Sequence, residues 1–164
     1  MLKIIFGLAI IAVSTMGGFL LSKKYRIRRR FLGQFREFNE QFINEITYYR
    51  RPIKEFLAKQ TFEGEFNALI QSYLLALDEY KSAENPTLDL SEYTFLAENE
   101  KVDIFDYFMA LGKGDSDSQK RYFLSMRDRL IKYEADAVSQ GKKYENLYIE
   151  LGFLCGLFIL ILIM

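Results

Sequence analysis

Two long apolar runs close the ends of this chain, and between them apolar and polar positions recur at helical spacing. The last run, Leu147 to Met164, reads LYIELGFLCGLFILILIM, and its single charge, Glu150, lies near its start. Its length at helical rise is just under the roughly 30 Å hydrocarbon core of a bilayer. A chain that ends on about three turns of Leu, Ile and Phe, with no polar residue after them, is expected to end inside or across a membrane. The first run, Leu2 to Leu21, reads LKIIFGLAIIAVSTMGGFLL and carries only Lys3.

A cleaved signal peptide would carry its positive charge before a shorter apolar stretch, with small residues at a cleavage site after it. Here the charge follows the run, as Lys23, Lys24, Arg26, Arg28, Arg29 and Arg30. That order predicts a retained anchor whose downstream side stays in the cytoplasm. Lys142 and Lys143, just before the last run, point the same way. The expected organisation is a transmembrane helix over 1–22, a cytoplasmic region over 23–143 and a second transmembrane helix over 144–164. Both termini are expected outside the cytoplasm.

Between the runs, Phe31, Phe35, Phe38, Phe42, Ile46 and Tyr49 recur at steps of three and four. This predicts an amphipathic helix over Arg26 to Arg51, continuous or nearly so with the first span. Pro52 interrupts it and suits the first turn of a short helix, Ile53 to Lys59. From Phe62 a further helix is expected, with Phe66, Leu69, Tyr73, Leu77 and Tyr80 on one face. Glu84-Asn85-Pro86 reads as a turn and Thr87 to Leu90 as an irregular connection. From about Ser91 the chain is expected to be helical again, burying Phe105, Phe108 and Leu111. Gly112-Lys113-Gly114 ends that helix, and Asp115 or Ser116 caps the next. In the last helix Phe123, Met126, Leu130, Tyr133 and Ala137 form the inner stripe, continued by Tyr144, Leu147 and Leu151. The fold class is therefore all-α: a small antiparallel cytoplasmic helical bundle flanked by N-terminal and C-terminal transmembrane helices. Aromatic stripes can frame a cofactor, but stripes on every helix of so small a bundle read as core.

Charge changes the picture through its distribution. The chain has 22 basic and 22 acidic residues, yet between Glu55 and Ser118 there are 14 acidic residues and four basic ones. Such a surface does not suit nucleic acid. The basic run after the first span sets membrane orientation and attracts anionic lipid. The acidic region, with Glu98, Glu100 and Asp103 at its centre, is expected to face away from the bilayer and to offer a surface to a basic partner.

Candidate chemistry is sparse. There is no histidine, so no histidine base, triad or metal ligand. The lone cysteine, Cys155, lies in the last apolar run, where no disulfide framework or thiolate metal site is possible within one chain. Gly112-Lys113-Gly114-Asp115-Ser116 lacks the spacing of a phosphate-binding loop and has no strand before it. The acidic pairs Glu63 with Glu65 and Asp103 with Asp106 read as solvated helix faces. No catalytic residue, cofactor or metal is assigned, and a binding or assembly protein remains. Gly152 with Gly156, and Ser14 with Gly18, place small residues on one face of each span, where another helix can approach closely.

Several stretches resemble one family, stage III sporulation protein AB. They are Glu45-Ile46 with Tyr48, Pro52-Ile53 and Glu55-Phe56; Phe108 with Leu111-Gly112, Asp115 and Gln119; and Lys143 to Tyr148 with Leu151-Gly152, Gly156-Leu157 and Leu160 to Met164. Met109 stands where that family has glycine, and Cys155 replaces the first of its usual two glycines. The resemblance covers the whole chain. It implies a role in endospore formation, in the mother-cell membrane around the forespore. It also implies a cytoplasmic domain similar to the inner-membrane platform protein of type II secretion and type IV pili. The partners implied are a secretion-type cytoplasmic ATPase, other channel subunits and membrane lipid, with homo-oligomers possible. The rival expectation is a general membrane-anchored scaffold of envelope or division assembly.

Overall fold

The computed structural model describes residues 2–49, 51–79, 88–113 and 115–163. Among these, all regular structure is helical. Helix α1 spans Leu2–Asn44 and passes directly into a π-helical turn, Glu45–Tyr49. Then follow α2, Ile53–Ala58; α3, Gly64–Glu79; α4, Glu98–Ala110; and α5, Ser116–Ile163. The chain divides into two compact units, one of residues 1–29 with 136–164 and the other of residues 30–135.

The unit of residues 30–135 is built on aromatic packing. Phe31, Phe35, Phe38 and Phe42 fall on one face of α1 because steps of three and four return to the same side of a helix, and all four are buried. Phe35 meets Tyr107 edge-on at 4.8 Å, and Phe42 meets Phe123 in the same way. From α3, Phe66, Leu69, Ile70 and Tyr73 are buried. The Tyr73 hydroxyl donates to the carbonyl of Phe108 at 2.8 Å, and burial pushes its pKa up to about 12. Asn39 is buried in this core and donates to the carbonyl of Phe123 at 3.1 Å.

The punctuation follows local chemistry. Pro52, with φ −54°, precedes α2, and its carbonyl accepts the amides of Glu55 and Phe56. Gly112 adopts φ +74° after α4, a left-handed conformation natural to glycine. Asp115 caps α5, its carboxylate accepting the Ser118 amide at 2.6 Å. Tyr80, the expected turn at Glu84 to Pro86, Thr87 and Gly114 lie outside the described residues.

Three expectations are corrected here. Residues 91–97 form turns rather than helix, and α4 begins only at Glu98. There the Ala97 amide donates to the Glu100 side chain at 2.8 Å, so the start is fixed by an acid inside the helix. Second, α4 buries Ile104, Tyr107, Phe108 and Leu111, while Phe105 is 40% exposed. Third, Tyr133 is only half-buried, its hydroxyl turned to Asp103 at 2.8 Å.

Candidate functional site

The unit of residues 1–29 and 136–164 is an antiparallel pair made by the first part of α1 and the last part of α5. The stretch Asp117–Leu162 is long and apolar enough to cross a membrane, by length and composition.

The two helices meet along a seam of small residues. The Ser14 hydroxyl donates to the carbonyl of Gly152 at 2.6 Å. A Cβ on Gly152 would lie 2.7 Å from the Ser14 carbonyl and 3.3 Å from the Cα of Gly18. One on Gly156 would lie 2.8 Å from the Cα of Ile11. One on Gly18 would collide with the Tyr148 carbonyl. The seam thus brings Ser14, Gly18, Gly152 and Gly156 together, and a side chain added at any of the three glycines forces two backbones apart. Gly17, one residue away, has open space where a Cβ would stand.

The expected continuation of the inner stripe through Leu147 and Leu151 is corrected by this geometry: both are exposed. The paired face of α5 runs instead through Gly141, Tyr148, Gly152 and Gly156. It is set by the close approach that glycine allows, while Leu147, Leu151, Leu154 and Phe158 turn outward.

Beyond the seam the pair is held by a charged and aromatic neck. Tyr25 stacks on Tyr144 and Tyr148, with ring centroids at 5.2 and 5.9 Å. Glu145 lies 3.2 Å from Arg29 and 3.9 Å from Arg26, and Arg28 donates to Gln140 at 2.8 Å. Gly141 gives Arg29 room, since a Cβ there would stand 3.3 Å from its guanidinium. These contacts carry helix pairing past the expected span boundaries to Arg29 and Gln140. Lys23 and Lys24 remain exposed. Sequence reasoning gave the whole basic run an orienting role and missed that Arg26, Arg28 and Arg29 also bind the opposite helix. The acid facing two of them, Glu145, was the available signal.

In the other unit, Arg30 pairs with Glu63 at 3.1 Å. Of the three acids expected on a partner surface, Glu98 is open to solvent and pairs with Lys101 at 3.0 Å. Glu100 is buried as part of the start of α4. Asp103 is mostly covered, holding Arg129 at 2.9 Å and the Tyr133 hydroxyl. Glu100 and Asp103 are thus committed to the fold, which corrects the expectation that both face a partner. Two arginine–carboxylate pairs lie elsewhere in this unit. Arg127 Nε donates to Glu40 at 2.6 Å, and Arg51 Nε donates to Glu45 at 2.9 Å. In each the guanidinium holds the carboxyl below its ordinary pKa, against the opposing pull of burial.

A family model described as stage III sporulation protein AB matches residues 3–164. The curated stage III sporulation protein AB of Bacillus subtilis (strain 168) is 28% identical over 171 residues, covering 100% of both chains. No solved structure matches the chain.

Proposed function

The chain belongs to the stage III sporulation protein AB family, and from that premise we propose that it is a non-enzymatic platform or coupling subunit of a secretion-like transport complex between mother cell and forespore. A role in sporulation comes with the family. The finer reading is that both ends of the chain cross the mother-cell membrane as a two-pass hairpin. The region between them lies in the cytoplasm and docks a secretion-type ATPase and other channel subunits.

The observation that carries this reading is the seam of Ser14, Gly18, Gly152 and Gly156. Apolar helices gain no hydrophobic driving force from pairing within lipid, so close backbone contact and interhelical hydrogen bonds do that work. The two apolar ends of this chain are paired by those two means. Large apolar side chains on the outside, such as Val13, Leu21, Phe158 and Ile161, suit lipid and not water. On the helical region, the acidic surface offered to a basic motor is carried by the exposed Glu92, Glu98 and Asp106.

The test uses the full chain, solubilised in detergent from sporulating cells, as bait. The secretion-type ATPase is expected among the captured proteins, with capture falling as salt rises. Reversing Glu92, Glu98 and Asp106 to Lys is expected to weaken capture while leaving helicity intact, since none of the three is buried. Failure of the unaltered chain to capture the ATPase would contradict the coupling role and favour a general membrane scaffold.

A further inference from the structure

In the hairpin unit the arginines and the lysines part company. Arg26 and Arg29 lie against Glu145, and Arg28 donates to Gln140, so these three act between the helices. Lys23, Lys24, Lys142 and Lys143 are exposed, and among the described residues none of them forms an ion pair. Two of the four rest on one aromatic cluster. The Lys24 ammonium lies 5.1 Å from the ring of Tyr25, and the Lys143 ammonium 5.1 Å from the ring of Tyr144. Those two rings stack with centroids 5.2 Å apart, and Tyr148 stacks on Tyr25 at 5.9 Å. One cation from each helix therefore flanks a single ring stack.

The other two lysines point elsewhere, because neighbours in a helix are turned about 100° from each other. The exposed acids of the unit, Asp136 and Glu150, each stand seven residues from Lys143, roughly 10 Å at helical rise. Neither pairs with it. On the side of the stack an apolar track leads away from the charges. Leu21 precedes Tyr25 by four residues, and Leu147 and Leu151 follow Tyr144 by three and seven, steps that return to the same helix face. All three leucines are exposed.

Two cations on one aromatic shelf suit an anion. An ammonium over a ring face keeps N–H donors open on its other side, and lysine meets phosphate as a point charge. Tyrosines settle at the headgroup level of a bilayer, and the leucine track below the stack suits acyl chains. We propose that Lys24, Lys143 and the Tyr25–Tyr144 stack bind the headgroup phosphate of an anionic phospholipid. The site takes one lysine from each helix, so it exists only where the helices pair. That separates it from the diffuse attraction of a basic run for anionic lipid.

This inference rests on the membrane placement proposed above. Its test is native mass spectrometry of the full chain in nonionic detergent, titrated with phosphatidylglycerol, phosphatidylcholine or inorganic phosphate. One phosphatidylglycerol is expected to be retained per chain, in preference to phosphatidylcholine and undisplaced by inorganic phosphate. Lys24→Gln with Lys143→Gln is expected to weaken retention on the order of tenfold. Lys23→Gln with Lys142→Gln removes the same charge from adjacent positions and is expected to leave retention unchanged. Equal losses from the two double variants would overturn the site in favour of diffuse attraction. Equal retention of phosphatidylcholine, or displacement by inorganic phosphate, would overturn it too. Extraction of native membranes with alkaline carbonate separates the two ideas. A chain released by carbonate refutes the membrane placement itself, whereas a retained chain without selective phosphatidylglycerol binding refutes the site alone.

Discussion

Phe123 and Phe105 are both phenylalanines in regular helical stripes, yet they have opposite fates. Phe123 is fully buried, with the rings of Phe42 and Tyr107 each at 4.8 Å. Phe105 faces outward. Phe123→Ala should therefore cost about 3–5 kcal/mol, the range for an aromatic removed from a packed core. Phe105→Ala should cost less than about 1 kcal/mol. Denaturant unfolding of the full chain in detergent, followed by circular dichroism, checks both. The sequence could not separate them because α4 offers two stripes of equal regularity. One passes through Val102, Phe105 and Met109, the other through Ile104, Phe108 and Leu111, and only tertiary packing selects between them. Charge acts at this scale too. Arg127 lowers the carboxyl pKa of Glu40 in the folded state, and Arg51 that of Glu45, relative to about 4.3 in an unfolded chain. A lowered folded pKa means that these pairs stabilise fully above the unfolded value and lose that contribution as pH falls through the folded one. The midpoint of thermal unfolding should thus change little between neutrality and about pH 5 and then drop on further acidification. Glu45→Gln should flatten part of that drop, and an unchanged acid slope would show that the Glu45–Arg51 pair contributes nothing.

At the scale of elements, the boundaries legible in the sequence are those set by a residue's own chemistry. Pro52 starts α2, Asp115 caps α5, and Gly112 closes the end of α4. The start of α4 was not legible, because Ala97 carries no capping oxygen and Glu100 reaches back from within the helix. The periodicity predicts helix over Arg26 to Arg51, whereas regular α-helix stops at Asn44 and a π-helical turn carries the chain on. The buried Glu45, held by Arg51, sits in that turn. Gly112 provides the sharpest test at this scale. Its φ of +74° suits glycine, while an added Cβ would meet Ile53 at an ordinary 3.6 Å. Gly112→Ala should therefore cost about 1–2 kcal/mol through backbone strain alone. A neutral substitution in the same unfolding assay would mean that the turn relaxes freely.

Over the whole molecule, the apolar ends and the all-helical character were open to reading because hydrophobic runs and helical periods are local properties. The small residues of the seam were legible as spacing. Their mutual contact is a matter of two backbones, and a single sequence does not fix that. The pairing of Arg29 with Glu145 was hidden for a similar reason, since a sequence does not say which arginine meets which acid across two helices. If the middle of the chain is cytoplasmic, a cysteine replacing the exposed Ser91, in a Cys155→Ser chain, should resist a membrane-impermeant maleimide in intact cells and react after lysis. Labelling in intact cells would reverse the topology. The central claim is that close pairing of the two apolar ends in the membrane is what the sporulation role requires. Gly17 and Gly18 test it most directly, because they are neighbours of identical chemistry and only Gly18 meets the opposite helix. The measurement is the count of heat-resistant spores from strains carrying Gly17→Leu or Gly18→Leu as the sole copy, at matched protein levels in the membrane. Gly17→Leu is predicted to sporulate like the unaltered strain and Gly18→Leu to fall toward a strain lacking the protein; equal spore counts from the two would contradict the account.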